Sequence, residues 1–242
     1  MYKRLLDQLG AYLERPVQSI QKRTYGEVNA LLQSGGCDAA FVCTYAYVLG
    51  HRDFGLELLA APQINGKATY QSYLIVPANS SAQQLSDLRQ REFAFSDPLS
   101  NSGWLYPRYL LVEMDTTPEA FFRHYLFTYS HDNTLRAVTD GLVDGGAMDS
   151  LVYEQMAQQH PHYAQVTRVI HRSPEFPSPP VVANPRLPAA VKEKIRRFLL
   201  RLHQRQEGEQ ILQSLHIDRF VPITDEAYQP LRQMIHQIEV TE

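Results

Sequence analysis

The stretch SNSG at 100–103 concentrates hydrogen-bonding groups where a buried strand gives way to a helix. The apolar run FAF at 93–95 indicates the strand, and the apolar residues spaced beyond Gly103 indicate the helix. The start of a helix carries unpaired N–H groups and the positive end of the helix dipole. Two hydroxyls, an amide and these N–H groups can surround a tetrahedral oxyanion without a lysine or arginine, and Gly103 would let the ligand approach the backbone. A plain N-cap with a polar turn explains the same residues, so both interpretations stay open.

Two later helix starts carry ionisable side chains. In YSHDNTLRA, Ser130 can cap a helix, and His131 in its first turn is either a structural residue or a donor to an anion. In the second role it would be the only titratable cation of the site. In GGAMDS, Asp149 follows a strand of small residues and is an N-cap, an acceptor for a protonated ligand oxygen, or both. Such an acceptor favours a P–OH group and rejects sulfate, which has no proton to give near neutral pH.

Three more residues are weaker candidates. Thr44 and Tyr45 follow the apolar run DAAFVC at another helix start, and Tyr70 lies on the predicted strand YQSYLIVP. Core packing explains each of them as well as a binding role does.

The elements that must position these residues follow an α/β pattern, because strand-length apolar runs alternate with helical periodicity. We predict a helix at 2–14, a strand at 17–22, a helix at 25–34 and C-terminal helices at 188–205, 207–214 and 224–239.

The chain is predicted to form two lobes. The phrases LLQSGGCDAAFV and AVTDGLVDGGAM repeat one unit of helix, glycine, aspartate and strand, and the proline-rich segment 174–188 must be extended. We assign residues 1–77 and 177–242 to lobe 1 and the inserted residues 78–176 to lobe 2, with hinge strands near 70–78 and 174–182. Ligands of such folds are expected in the cleft, at the carboxyl ends of strands.

Composition excludes several classes of function. The 242 residues carry a net charge of −3 with acids and bases interspersed, which argues against nucleic acid as a partner. No apolar run reaches the roughly 18 residues of a membrane helix, and the N-terminal segment is an amphipathic helix rather than an export signal. Cys37 and Cys43 would lie roughly 20 Å apart on one strand and are predicted to be free thiols. No zinc spacing, P-loop or nucleophile elbow is present, and we predict neither metal nor cofactor.

Taken in order, four motifs carry a family resemblance: D-P-x-S-x-S-G, S-H-D, V-D-x-x-A-x-D-S and S-P-x-x-P-x-P-P. Together with the C-terminal LHIDRFVPITDEAYQPLRQ, they resemble the phosphate, phosphite and phosphonate binding proteins of ABC transporters over essentially the whole chain. The resemblance implies a two-lobed type II periplasmic-binding fold, each lobe a mixed sheet flanked by helices, with two crossing strands between the lobes. It implies capture of a small phosphorus oxyanion in the interlobe cleft, without catalysis, and delivery to an ABC permease.

The resemblance also implies ligand-binding roles for matching positions. Ser100, Asn101 and Ser102 correspond to the loop that holds the phosphonate oxygens. The other matching positions are His131, Asp149, Tyr70 and, with a looser match, Thr44 and Tyr45. It further implies a monomer at the periplasmic or cell-surface side of a membrane.

Several departures from the family pattern refine these expectations. Asn101 replaces the usual threonine of the loop, while Leu151 and Pro179 stand where carboxylates would hold an ammonium group. Phosphite, phosphate or a small alkylphosphonate is therefore expected rather than an aminoalkylphosphonate. The export signal and first strand of the family are not found before the first helix, and we expect either a start further upstream or another segment or chain that fills the sheet.

Two other functions are compatible with the pattern. The same fold could sense the ligand for a signalling system without transporting it. An enzyme of this fold, with Cys43 and either His51 or His131 as nucleophile and base, is the less favoured interpretation, because no recognised catalytic order supports it.

Overall fold

The computed structural model describes residues 2–241, and these form two compact units. The first unit runs to Thr69 and resumes over Pro177–Gln229, and the second comprises Tyr70–Phe176 and the chain from Pro230 onward.

The elements alternate along the chain in the mixed α/β order that the sequence predicted. The strands are β1 (Ala39–Phe41), β2 (Glu57–Gln63), β3 (Thr69–Tyr70), β4 (Ser72–Pro77), β5 (Glu92–Phe95), β6 (His124–Phe127), β7 (Gly145–Asp149), β8 (Thr167–Arg172), β9 (Phe176–Pro177), β10 (Val181–Ala183) and β11 (Arg219–Val221). The α-helices are α1 (Lys3–Leu13), α2 (Tyr25–Ser34), α3 (Thr44–Phe54), α4 (Tyr106–Val112), α5 (Pro118–Phe121), α6 (His131–Thr139), α7 (Ser150–Gln159), α8 (His162–Val166), α9 (Ala189–Arg201), α10 (Gln206–Ser214) and α11 (Gln229–Thr241). Short 3₁₀ turns cover Leu85–Leu88, Leu202–Gln204 and Asp225–Tyr228, and a π-helical segment covers Asn101–Leu105.

The first unit is built on a four-stranded sheet in the order β1-β10-β2-β11, with antiparallel neighbours. Helices α1 and α9 pack against each other, and α9 packs on β2. Their buried apolar side chains, among them Leu5, Leu59, Phe198 and Phe220, form one core.

The second unit is built on a five-stranded sheet in the order β6-β5-β7-β4-β8. Strand β5 runs parallel to β6 and β7, whereas β4 is antiparallel to β7 and β8. The strands bury apolar residues into two clusters, one around Phe93, Phe95 and Phe121 and the other around Ile75, Leu135 and Met148. A sheet covered by apolar clusters in this way holds the carboxyl ends of its three parallel strands in fixed positions.

Local sequence signals explain where several elements begin and end. Thr24 and Glu27 form a capping box at the start of α2, and Gly35 ends that helix with a φ of 81°. Neither Cys37 nor Cys43 takes part in a disulfide, as the sequence predicted. No helix among residues 2–241 is both long enough and apolar enough to cross a membrane.

Two sequence-based expectations differ from the structure. Residues 17–22 do not form a strand, because no strand lies beside them to pair with. The sequence also placed 177–242 in lobe 1, whereas the chain from Pro230 groups with the second unit. There α11 buries Leu231 and Ile235, and Gln237 donates a hydrogen bond to Glu113.

Candidate anion-binding site

The candidate residues of the second unit meet at one edge of its sheet. Strands β6, β5 and β7 are parallel neighbours, so their carboxyl ends lie side by side. The SNSG stretch follows β5, His131 begins α6 after β6, and Asp149 ends β7. The antiparallel strand β4 starts at the same edge, where Ser72 stands opposite Asp149.

The SNSG stretch begins a helix whose first turns are π-helical. Ser100 is the N-cap, and its Oγ accepts a hydrogen bond from the N–H of Gly103 at 2.9 Å. The π-helical segment then continues directly into α4. Such segments are rare and occur often at functional sites. The N-cap interpretation of Ser100 is therefore confirmed, and its role toward a ligand stays a prediction.

Ser102 carries the hydroxyl whose environment is most informative. Its side chain is fully buried, and its Oγ has no hydrogen-bond partner among the described residues. Its carbonyl oxygen accepts a 2.6 Å hydrogen bond from Ser72 Oγ, which fixes the backbone at this point. A buried hydroxyl without a partner costs free energy, so one in a well-packed place calls for an explanation.

Tyr70 is hydrogen-bonded to the same loop. Asn101 Nδ2 donates a hydrogen bond to Tyr70 Oη at 3.0 Å, and both side chains are buried. The structure thus brings the predicted residue of the crossing strand together with the predicted loop.

His131 is held as a neutral imidazole. Burial lowers the pKa of His131 to about 4. Its Nδ1 lies 2.8 Å from Ser96 Oγ and accepts a hydrogen bond from the N–H of Asp149 at 3.2 Å. Because Nδ1 accepts, the proton of the neutral ring is on Nε2. The expectation of a titratable cation was therefore wrong, and the ring offers a neutral N–H donor instead.

Asp149 is the N-cap of α7, and its Oδ1 accepts a hydrogen bond from the N–H of Leu151 at 2.7 Å. Burial raises the pKa of Asp149 to about 7, although the N–H groups of Leu151 and Val152 act in the opposite direction. The carboxyl group is therefore close to half protonated near neutral pH. The ionised carboxylate can accept a hydrogen bond from a protonated ligand oxygen, and the protonated carboxyl group can donate one to an unprotonated ligand oxygen.

The Asp149→Asn variant is expected to remove a pH-dependent loss of stability. The folded-state pKa of about 7 lies above the usual 3.8. The protonated carboxyl group's contribution to the free energy of unfolding is therefore fully present below pH 3.8 and is lost as the pH rises through about 7. Asparagine keeps the N-cap without the charge. In ligand-free urea unfolding, the variant should gain about 2 kcal/mol relative to wild type between pH 5 and pH 7. His131 titrates in both proteins and cancels in the difference, and a constant difference would contradict the buried carboxylate.

Sequence reasoning missed a supporting residue, Ser96. Its Oγ lies 3.1 Å from Thr134 Oγ1 and donates to the carbonyl of Ala147 at 2.9 Å, besides its contact with His131. The only signal in the sequence was its place directly after the buried run FAF.

Gly103 has a packing role that the sequence did not predict. A Cβ at this position would lie 2.5 Å from Ser96 Cβ and 3.0 Å from Ser100 Oγ. The glycine is therefore required for the helix start to pack against Ser96, and its predicted role in letting a ligand approach the backbone stays a prediction.

Thr44 and Tyr45 belong to the first unit. Thr44 is the first residue of α3 and is fully buried, and Tyr45 is half-buried. Their predicted contact with a ligand stays a prediction.

The sequence matches a known protein family over most of its length. The family model "ABC transporter, phosphonate, periplasmic substrate-binding protein" matches residues 1–228. The phosphonates-binding periplasmic protein of Escherichia coli is 26% identical over 174 residues, which cover 70% of this chain and 51% of that protein. The phosphate-import protein PhnD of Mycolicibacterium smegmatis is 30% identical over 166 residues, 64% of this chain and 52% of that protein. The chain thus spans about half the length of these two relatives.

Solved structures show the same fold. A binding protein component of an ABC phosphonate transporter from Pseudomonas aeruginosa matches with a TM-score of 0.92 at 23% identity, covering 99% of this chain and 81% of its own. The Prochlorococcus marinus protein PhnD1, solved in complex with methylphosphonate, matches with a TM-score of 0.87 at 20% identity, covering 98% and 92%. These matches confirm the predicted type II periplasmic-binding fold class.

Proposed function

We propose that this chain, which belongs to the family of periplasmic substrate-binding proteins of phosphonate ABC transporters, binds a small phosphorus oxyanion at the sheet edge of its second unit. The observation that carries the proposal is the Ser102 hydroxyl, which is fully buried and has no partner among residues 2–241. An anion would accept its hydrogen bond and remove the cost of the unpaired group.

The chemistry of the site suits a phosphorus oxyanion. Ser102 Oγ and His131 Nε2 are neutral donors, and the residues proposed for the site include no lysine or arginine. Asp149 adds a carboxyl group with a pKa near 7, which matches a P–OH group. Above pH 7, where Asp149 is mostly ionised, sulfate would meet a carboxylate with no proton between the two oxygens and would be rejected.

The residues beside the site favour a ligand without an amine. Leu151, two residues after Asp149, is apolar and half-buried, and the family resemblance places a carboxylate at this position in members that hold an ammonium group. Phosphite, phosphate and methylphosphonate are therefore the proposed ligands, and 2-aminoethylphosphonate is disfavoured. The protein named in the methylphosphonate complex shares this fold.

The proposed role is transport without catalysis. The E. coli relative is named as a periplasmic protein, and the family description places such chains with an ABC transporter. We accordingly propose a monomer on the periplasmic side that delivers its ligand to a membrane permease.

A thermal-shift panel tests the proposed ligand class. The panel contains phosphate, phosphite, methylphosphonate, 2-aminoethylphosphonate and sulfate at matched ionic strength and about pH 8, where Asp149 is mostly ionised. A ligand at about 100 times its dissociation constant adds about 2.7 kcal/mol to the free energy of unfolding, and the melting temperature should rise by several degrees. We expect a rise with at least one of phosphate, phosphite and methylphosphonate, and none with sulfate.

The opposite pattern would reject the proposal. A rise with sulfate equal to that with the phosphorus compounds would mean that general anion binding, rather than a P–OH contact with Asp149, stabilises the fold. No rise with any phosphorus oxyanion would remove the site. The Asp149→Asn variant serves as a matched control, because it keeps the N-cap and should bind sulfate and phosphate with less discrimination.

A further inference from the structure

The helix that carries Ser102 begins in a register in which each hydrogen bond spans five residues. The N–H of Leu105 donates to the carbonyl of Ser100 at 3.0 Å. The N–H of Tyr106 likewise donates to the carbonyl of Asn101. Both bonds have π-helical spacing, whereas an α-helix bonds over four residues. The next bond of the series would run from residue 107 to the carbonyl of Ser102, but residue 107 is a proline and has no N–H.

The hydroxyl of Ser72 takes the place of the missing N–H. Ser72 is the first residue of β4 and is fully buried, and its Oγ donates to the carbonyl of Ser102 at 2.6 Å. Without this bond a carbonyl in a buried position would lose its partner, at a cost in free energy. The bond therefore stabilises the π-helical register, in which the N–H of Tyr106 stays on Asn101.

The competing arrangement is an α-helical start. The N–H of Tyr106 would then bond to the carbonyl of Ser102, four residues earlier, and the carbonyl of Asn101 would lose its bond. Because an α-helix turns by about 100° per residue, a shift of one residue would rotate the turn before Tyr106 and change the direction of the Ser102 hydroxyl. The register of this turn thus decides where Ser102 Oγ points.

A second contact joins the same loop to the same part of the chain. Tyr70, two residues before Ser72, accepts a hydrogen bond from Asn101 Nδ2 at 3.0 Å. Ser72 is itself held in place, since its N–H donates to Ser173 Oγ at 2.8 Å. The start of β4 therefore supports two consecutive residues of the loop, one through a side chain and one through a carbonyl.

We propose that Ser72 is a positioning residue of the anion site. Its hydroxyl holds the helix start in the π-helical register and so keeps Ser102 Oγ where a phosphorus oxyanion can accept its hydrogen bond. The inference rests on the function proposed for this site. Ser72 acts through Ser102, because the one proton of its hydroxyl is donated to the Ser102 carbonyl.

The Pro107→Ala variant makes the proposal testable by second-site rescue. Ser72→Ala should weaken the tightest binding among phosphate, phosphite and methylphosphonate at least about tenfold in isothermal titration calorimetry, because Ser102 is displaced. In the double variant Ser72→Ala/Pro107→Ala, residue 107 has an N–H. The carbonyl of Gly103 is already bonded to the N–H of Ser96 at 3.1 Å, so the new N–H is directed to the carbonyl of Ser102. The affinity should return to within about threefold of the wild type.

A matched control separates this effect from general damage to the strand. Ser173→Ala removes a hydroxyl that bonds to the N–H of Ser72 and to the carbonyl of Pro174 rather than to the loop. It should lower the melting temperature but change the affinity by no more than about twofold.

Scalar couplings across hydrogen bonds in the ligand-free protein report the register itself. The N–H of Tyr106 should couple to the carbonyl carbon of Asn101 in the wild type and in the double variant, and to that of Ser102 in Ser72→Ala. Four results would overturn the proposal: unchanged affinity in Ser72→Ala, a loss that Pro107→Ala does not restore, an equal loss in Ser173→Ala, or a coupling that stays on Asn101 in Ser72→Ala. If the wild type binds none of the three anions, the proposed function fails, whereas the couplings still decide whether Ser72 holds the register.

Discussion

The Ser102→Ala variant is expected to unfold at a higher temperature than the wild type in the absence of ligand, yet to bind a phosphorus oxyanion at least tenfold more weakly. The two effects have opposite signs because the hydroxyl is buried and has no partner in the ligand-free chain. The alanine lacks this desolvated polar atom, so the free energy of unfolding should rise by about 1 kcal/mol. That gain corresponds to a rise of about 2–4 °C in melting temperature for a chain of this size.

The loss of affinity has the same physical origin. A charged oxygen left short of one hydrogen bond in a buried site costs about 1.5–3 kcal/mol, and each 1.4 kcal/mol is about a factor of ten in dissociation constant. Isothermal titration calorimetry with the ligand found in the thermal-shift panel measures the loss of affinity. Scanning calorimetry without ligand measures the rise in melting temperature.

Ser100→Ala is the matched control, two positions away on the same helix start. Its Oγ accepts from the N–H of Gly103, so its loss should lower the free energy of unfolding by about 1 kcal/mol. If the loop had a structural role only, both variants would be less stable than the wild type. If Ser102→Ala proves less stable than the wild type, the hydroxyl has an internal partner and the observation that carries the proposed function is withdrawn.

Sequence reasoning located this loop because its signals are local. A buried run, a proline and four small polar residues predict a strand, a break and a helix start, and the structure has β5, Ser100 as N-cap and a helix in that order. The same reasoning found Asp149, since a carboxylate after a strand of small residues is a common N-cap.

Features that depend on tertiary packing were not predictable in this way. The neutral state of His131 depends on its burial, and the position of its proton depends on the N–H of Asp149, which lies on a different element of the fold. The role of Gly103 depends on how closely the helix start approaches Ser96. Residues 17–22 were predicted to form a strand, but a strand forms only where a neighbouring strand supplies hydrogen bonds.

His131→Ala is expected to weaken binding of the phosphorus oxyanion roughly ten- to a hundredfold, because the ligand would lose the Nε2–H donor in a buried site. Two conservative variants separate this donor from the ring's structural contact. Glutamine can place an amide N–H near the Nε2 position, whereas asparagine can place an oxygen near Nδ1 and accept from the N–H of Asp149 without reaching the ligand. We therefore expect His131→Gln to bind more tightly than His131→Asn, although His131→Asn should be the more stable of the two.

The protonation state of His131 supplies an independent check. Its pKa of about 4 requires the ring to be neutral at pH 6, with the proton on Nε2. Two-bond ¹H–¹⁵N NMR of the imidazole distinguishes this tautomer from the imidazolium. An imidazolium signal for His131 at pH 6 would show that the site binds its anion with a charge. Affinity should then rise as the pH falls, and the neutral-donor account of specificity would no longer hold.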